Sequence, residues 1–259
     1  MAKTGKTDFV IEAKTLSLGY GDTVLLHRAN FRVRRGDVFA IMGESGCGKS
    51  SLLRVMIGLN PAISGSIVVD GVDMVTASEK DKNLLMQRCG VLYQSGALFS
   101  AMTLFENIAL PLQKYTDWSD AMIKDIVRLK LRLVGLDGYQ DFYPSEISGG
   151  MRKRAGLARA IALDPEIVYF DEPSAGLDPV SSKELDDLIL SINRGFGTTI
   201  VIVTHELSSI FSIADNGIFL SKEKQSIVAE GNPWDLLKNP PSEQVYQFLT
   251  RGENEKKSK

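Results

Sequence analysis

The chain has 259 residues, with 30 Lys and Arg against 32 Asp and Glu, for a formal net charge of −2. Hydrophobic residues at 44% and charged residues at 24% suit a globular protein with a large core, and the lack of a basic surplus argues against a dedicated nucleic-acid binder. No stretch approaches the roughly 18–20 apolar residues of a membrane-spanning helix, Met1 to Val10 reads as no secretory signal, and Cys47 with Cys89 cannot make a disulfide framework; a reduced, cytosolic, water-soluble chain is expected.

The first 35 residues and the region Gly65–Asp73 predict short antiparallel strands, the latter ending in the turn signal Asp70-Gly71. Val38-Phe39-Ala40-Ile41-Met42 predicts a buried strand ending at Gly43, followed by a helix from Lys49 to Gly58. From about residue 95 to 161 the pattern changes. Phe105–Leu112, the periodic stretch Ser119–Val134 and a segment after Gly150 predict helices, and no strand is evident, so this reads as an inserted helical subdomain. Ile167–Phe170 and Thr199–Val203 predict strands, and Ser181–Arg194 and a segment from Leu207 predict helices. Strands without alternation, separated by helices, indicate an α/β fold with a mainly parallel sheet buried on both faces. Val245, Phe248 and Leu249 are spaced for one face of a short helix that either packs on its own core or docks on a partner, and Gly252–Lys259 is a polar tail expected to be disordered. The expected organisation is one domain over 1–251 with the tail at 252–259.

Three patterns carry chemistry. Gly43-Glu44-Ser45-Gly46-Cys47-Gly48-Lys49-Ser50, followed by Ser51, matches G-x-x-x-x-G-K-[ST] between a predicted strand and a predicted helix. Its glycines let successive backbone N–H groups turn toward a polyphosphate, and the helix N-terminus adds positive dipole to the same place. Lys49 would reach the β- and γ-phosphates and the Ser50 hydroxyl would ligate Mg²⁺. Cys47 inside the loop reads first as a small residue that fits there, but the electropositive site should also favour thiolate character, so that alkylation inhibits and bound nucleotide protects.

The second pattern is the buried strand Ile167–Phe170 running into Asp171 and Glu172, acids placed at a strand's carboxyl end where ligands of α/β proteins bind. Asp171 would hold Mg²⁺ through a water, and Glu172 would polarise an attacking water. His205 follows Val201–Thr204 at a second such end and is expected to contact the γ-phosphate, whereas His27 has no such context and reads as structural. The third pattern is Ile147-Ser148-Gly149-Gly150-Met151 followed by Arg152-Lys153-Arg154, in which Ser148 caps a helix and the glycines leave its first N–H groups open to an anion.

Together these elements resemble, over nearly the whole chain, the ATP-binding cassette (ABC) ATPases, whose P-loop core and inserted helical subdomain match the predicted organisation. The resemblance implies further roles. Tyr20 in Leu18-Gly19-Tyr20-Gly21-Asp22 is similar to the aromatic that stacks on adenine, Gln94 in Val91-Leu92-Tyr93-Gln94 to the glutamine that links Mg²⁺ and water to the transporter-facing subdomain, and Ser174–Asp178 to the D-loop. It also implies a homodimer in which Lys49, Ser50, Gln94, Asp171, Glu172 and His205 of one copy act with Ser148, Gly149 and Gly150 of the other. Ile147 and Met151 depart from the usual Leu-Ser-Gly-Gly-Gln, and Met151 lacks the polar contact of a glutamine. Ser-Gly-Gly-Met with Arg154, and Tyr93–Phe99, resemble the ATPases of the Mla and other MCE-type lipid transporters. That subgroup implies ATP and Mg²⁺ as cofactors and a place on the cytoplasmic face of a bacterial inner membrane. It also implies a membrane permease with MCE-domain and accessory subunits as partners, and no direct lipid contact by this chain. On the same analogy Leu98, Phe99, Met102, Leu104 and Phe105 would meet a cytoplasmic helix of the permease, with subdomain core as the other reading of Leu104 and Phe105. An ABC importer or exporter of a non-lipid substrate is the alternative. A GTPase would need Asn-Lys-x-Asp, which is absent.

Overall fold

The computed structural model describes residues 8–21 and 23–251, so Asp22, the expected tail and most of the segment read for a signal lie outside the described residues. In chain order the elements are β1 (Phe9–Tyr20), β2 (Thr23–Arg34), β3 (Val38–Gly43), α1 (Lys49–Met56), β4 (Ser64–Val69), β5 (Val72–Asp73), α2 (Glu79–Met86), β6 (Cys89–Leu92), α3 (Leu104–Tyr115), α4 (Asp120–Leu133), α5 (Gly149–Ala160), β7 (Ile167–Asp171), α6 (Pro179–Phe196), β8 (Thr199–Val203), α7 (Leu207–Ile213), β9 (Asn216–Ser221), β10 (Ser226–Gly231), α8 (Pro233–Lys238) and α9 (Glu243–Thr250). They fall into two compact units, one holding the chain up to Leu85 and again from Ala214, the other running from Met86 to Ile213.

In the first unit β2, β1, β4 and β5 form an antiparallel sheet in that order. The strands β1 and β2 are twelve residues each, longer than the short strands expected, and β1 loses its alternation at register shifts around Thr15. A bulge there flips the later side chains to the other face, so a period-two pattern cannot be followed through it. Beside this sheet β3 pairs in parallel with β9, which pairs antiparallel with β10. All six residues of β3 are buried, the pattern of a strand covered on both faces. At the end of the unit, Val245 and Leu249 of α9 are buried and the Phe248 ring meets Phe219 edge-on at 4.9 Å, so this helix packs on its own core.

In the second unit β6, β7 and β8 run parallel in that order, and α3, α4 and α5 pack on one another. Helix starts carry the expected chemistry. Thr103 and Glu106 form a reciprocal capping box on α3, Ser119 caps α4, Ser148 caps α5, and Asp178 with Pro179 opens α6, which ends at Gly197 in the left-handed region. Leu104 is fully buried at the start of α3 and belongs to the core.

Candidate functional site

The first unit carries the phosphate-loop half. Strand β3 delivers the chain into Gly43–Gly48, and α1 begins at Lys49. Gly43 has φ +144, and a Cβ there would stand 2.5 Å from the Leu220 carbonyl oxygen, so no other residue fits this point. Gly48 takes φ +101 as the residue before the helix. Lys49 is buried, and its Nζ donates at 2.9 Å to the carbonyls of both Gly43 and Glu44, which hold the ammonium at the centre of the loop. Tyr20, half exposed, accepts at its hydroxyl from Ser51 Oγ at 3.2 Å and from Asn60 Nδ2 at 2.8 Å. Those donors hold its pKa below the ordinary phenol value. The structure thus places the Tyr20 hydroxyl within hydrogen-bond reach of Ser51, at the end of the phosphate loop.

Cys47 departs from expectation. Its side chain is buried, and burial pushes the thiol pKa up despite the opposing charge of Lys49. Desolvation outweighs the positive neighbour, so the thiolate character expected from the loop's electrostatics is overturned.

The second unit carries the acid and histidine half. Strand β7 ends at the buried Asp171, and Glu172 follows in the left-handed region at φ +50. A side chain in that conformation costs roughly 1–2 kcal/mol. Three contacts hold Glu172 there. Its N–H donates to Val203 O at 2.9 Å, its carbonyl accepts from Ala175 N at 3.2 Å, and its carboxylate Oε1 lies 2.9 Å from His205 Nδ1. The other carboxylate oxygen, Oε2, is buried with no hydrogen-bond partner among the described residues. Closed to solvent and without a donor, that oxygen carries the cost of an unmade hydrogen bond, a local penalty of the kind found at functional sites. His205 itself is more than half exposed, so its ring reaches outward from the buried acid.

The signature segment opens α5, where Ser148 Oγ accepts from Met151 N at 3.2 Å and the exposed Ser148 and Gly149 leave the helix N-terminus open. Arg152 Nη1 donates to Ile147 O at 2.7 Å and braces the segment from behind. Gln94 is exposed in the loop after β6. Four residues contribute here that the sequence reading passed over. Lys153 is buried and reaches Ala175 O at 2.8 Å, and the fully buried Asn107 fixes residues 99–103 through Phe99 N, Phe99 O, Met102 O and Thr103 O. Arg159 stacks over Phe99 with 5.6 Å to the ring centroid, and Lys114 stacks over Tyr115. A buried Asn in the first turn of a helix with a capping box was the one available signal.

These last residues border a cavity of about 450 Å³ lined by Tyr93, Phe99, Pro111, Lys114, Tyr115 and Arg159 among others, with two cations and no acid. Of the five apolar residues expected to face a permease, Phe99 lines it.

A family model described as ABC transporter matches residues 26–175, more than half of the chain and inclusive of the phosphate loop, the signature segment and Glu172. The chain belongs to the ABC transporter family. It is 40% identical over 246 residues to the intermembrane phospholipid transport system ATP-binding protein MlaF of Haemophilus influenzae, covering 95% of this chain and 92% of that one. It is 42% identical to the probable ribonucleotide transport ATP-binding protein mkl of Mycobacterium leprae, covering 92% of this chain and 68% of the relative. Among solved structures, cbiO1 of Clostridium perfringens, part of the ABC transporter complex cbiONQ, superposes with a TM-score of 0.83 at 25% identity, over 97% of this chain and all of that one. A bacterial ABC transporter cassette solved as a dimer gives 0.78 at 25% identity, over 85% of this chain and 97% of the other. The ABC domain binds ATP and hydrolyses it.

Among the described residues no helix is long and apolar enough to cross a membrane.

Proposed function

We propose that this ABC ATPase energises the movement of phospholipids between membranes of the bacterial envelope, working as an ATP-closed homodimer beneath a membrane permease. The observation that carries the reading is the 40% identity to MlaF along 92% of that protein's length. The mkl relatives are equally similar in sequence, but this chain spans only 68% of the first of them, which weighs against taking their transport assignment.

In the catalytic cycle Lys49 grips the β- and γ-phosphates while Gly43, Glu44, Ser45, Gly46, Cys47, Gly48 and Ser51 wrap them, and Tyr20 stacks on adenine. Ser50, Gln94 and Asp171 offer a hydroxyl, an amide and a carboxylate oxygen, a hard donor set of the kind that holds Mg²⁺ together with substrate phosphates. The ion would neutralise charge on the phosphoryl oxygens. The Glu172 carboxylate accepts a proton from the attacking water, and His205, in contact with Oε1 of that carboxylate, reaches the γ-phosphate. Ser148, Gly149 and Gly150 of the second copy close over the same nucleotide, their helix N-terminus meeting its negative charge.

The cavity lined by Phe99, Tyr93 and Tyr115 receives a cytoplasmic permease helix, whose acidic side chains would meet Lys114 and Arg159. The reading puts the chain on the cytoplasmic face of the inner membrane, away from the lipid itself. Affinity purification of the tagged chain from membranes should recover a permease and an MCE-domain protein. Recovery of a permease with a solute-binding protein would overturn the lipid assignment.

A further inference from the structure

Lys153 is a cation that the proposed chemistry does not use, yet it is one of the most enclosed charges in its unit, at 6% exposure. It sits one turn into α5, the helix that the signature segment opens, and its side chain leaves that helix for another element. Its Nζ donates to Ala175 O at 2.8 Å and to Glu172 O at 3.4 Å. Those two carbonyls mark the start and the end of a tight turn that the Ala175 N–H closes onto the Glu172 carbonyl. Within that turn Glu172 keeps its left-handed φ of +50. Such a conformation persists only where surrounding contacts over-determine it. Burial pushes the Lys153 pKa down, and the negative Glu172 side chain pulls it back up, so the ammonium and the carboxylate share one electrostatic environment.

We infer that Lys153 is a positioning residue for ATP hydrolysis. Its ammonium clamps the Glu172–Ala175 turn to the signature helix and so aims the Glu172 carboxylate at the attacking water. A hydrophobic side chain of equal length would fill the same space, take the ammonium donor from the Ala175 carbonyl and leave the Glu172 carbonyl with the Ala175 N–H alone. A guanidinium would keep both charge and donors. This inference rests on the reading of Glu172 as the group that polarises water, and the test separates the two.

The full-length protein is compared as wild type, Glu172→Gln, Lys153→Met and Lys153→Arg, by steady-state phosphate release against Mg-ATP concentration, with thermal melting and binding of a fluorescent ATP analogue alongside. Misplacing a catalytic group by about an ångström costs up to about 10²-fold, so Lys153→Met is expected to lower kcat about tenfold with KM and analogue affinity within about twofold of wild type. Lys153→Arg should restore kcat to within about twofold of wild type, since its donors and charge remain. If Lys153→Met does not melt cooperatively, Lys153→Gln, polar and uncharged, is expected to show the same selective loss in kcat. A wild-type kcat in Lys153→Met alongside a slow Glu172→Gln overturns the inference and leaves the role of Glu172 standing. A loss confined to KM, or an equal loss in Lys153→Met and Lys153→Arg, also overturns it. Wild-type turnover in Glu172→Gln would remove the role of Glu172 and the inference with it.

Discussion

In the phosphate loop Lys49 finds both of its acceptors five and six residues back along the chain, whereas Glu172 meets His205 across 33 residues and Lys153 across 19. The loop reaches its shape through glycines, for which φ values of +144 and +101 carry no steric penalty. The acid takes a similar left-handed turn with a full side chain and is held there by partners from three separate segments. A short-range site of backbone groups tolerates changes elsewhere in the fold. A long-range site of side chains depends on each of the elements that converge on it.

Glu172→Gln should lower kcat by about 10²-fold or more, because it removes the proton acceptor while leaving the turn and the His205 contact in place. Phosphate release measures the loss, and size-exclusion chromatography with ATP should still find the dimer. Unchanged turnover would erase the chemical half of the contrast. Next in size is Asn107→Ala, which deprives four backbone groups of a fully buried partner and should cost about 3 kcal/mol of unfolding free energy. A denaturant midpoint equal to wild type would mean that residues 99–103 hold themselves, as the phosphate loop does.

A smaller effect, of opposite sign, is expected at Asp186. This acid is buried on α6, with the Ser209 hydroxyl of α7 beside it, and burial raises its pKa to about 6. Because the folded-state value is the higher one, the carboxyl is protonated in both states at low pH and costs nothing there. Stability is lost as the pH climbs from about 4 through 6, where the unfolded chain ionises freely and the folded one does so at a penalty. Asp186→Asn should therefore stabilise the protein by about 2 kcal/mol at pH 7.5 and by almost nothing below pH 4. Thermal melts across that range check the sign. Thiol labelling should give the smallest effect. Cys89, half-buried at the cavity, should react with a maleimide before the buried Cys47, whose raised pKa leaves little thiolate. Labelling of Cys47 within the same minutes would show the loop to be looser than its hydrogen bonds indicate.

The same contrast explains what was legible in the sequence. Gly43–Ser51 is a contiguous pattern whose flanking strand and helix are themselves periodic, so fold and loop could be read together. The acids at the end of β7 were visible because a fully buried strand exposes polar groups only where it stops. By contrast β6 has four residues, too few for any periodicity to register, and β9 follows directly on the seven-residue α7, so its apolar run merged with the helical pattern before it. Helix α2 buries only Leu85 and offers no apolar stripe to read. Lys153 was hidden for a different reason. A lysine in a Lys-Arg cluster is ordinarily solvated, and only the folded α5 shows that this one turns inward.

One close approach bears on how force would travel. Gly156 of α5 lies so near the segment after β6 that a methyl there would stand 2.7 Å from Leu92 Cδ1 and 2.8 Å from the Gly96 carbonyl. The backbone of Gly96 bears directly on that of Gly156, with the Leu92 side chain packed tightly beside the contact. Pressure applied to residues 93–96 therefore reaches the helix behind Ser148 almost undamped, like a push on a rod rather than on a spring.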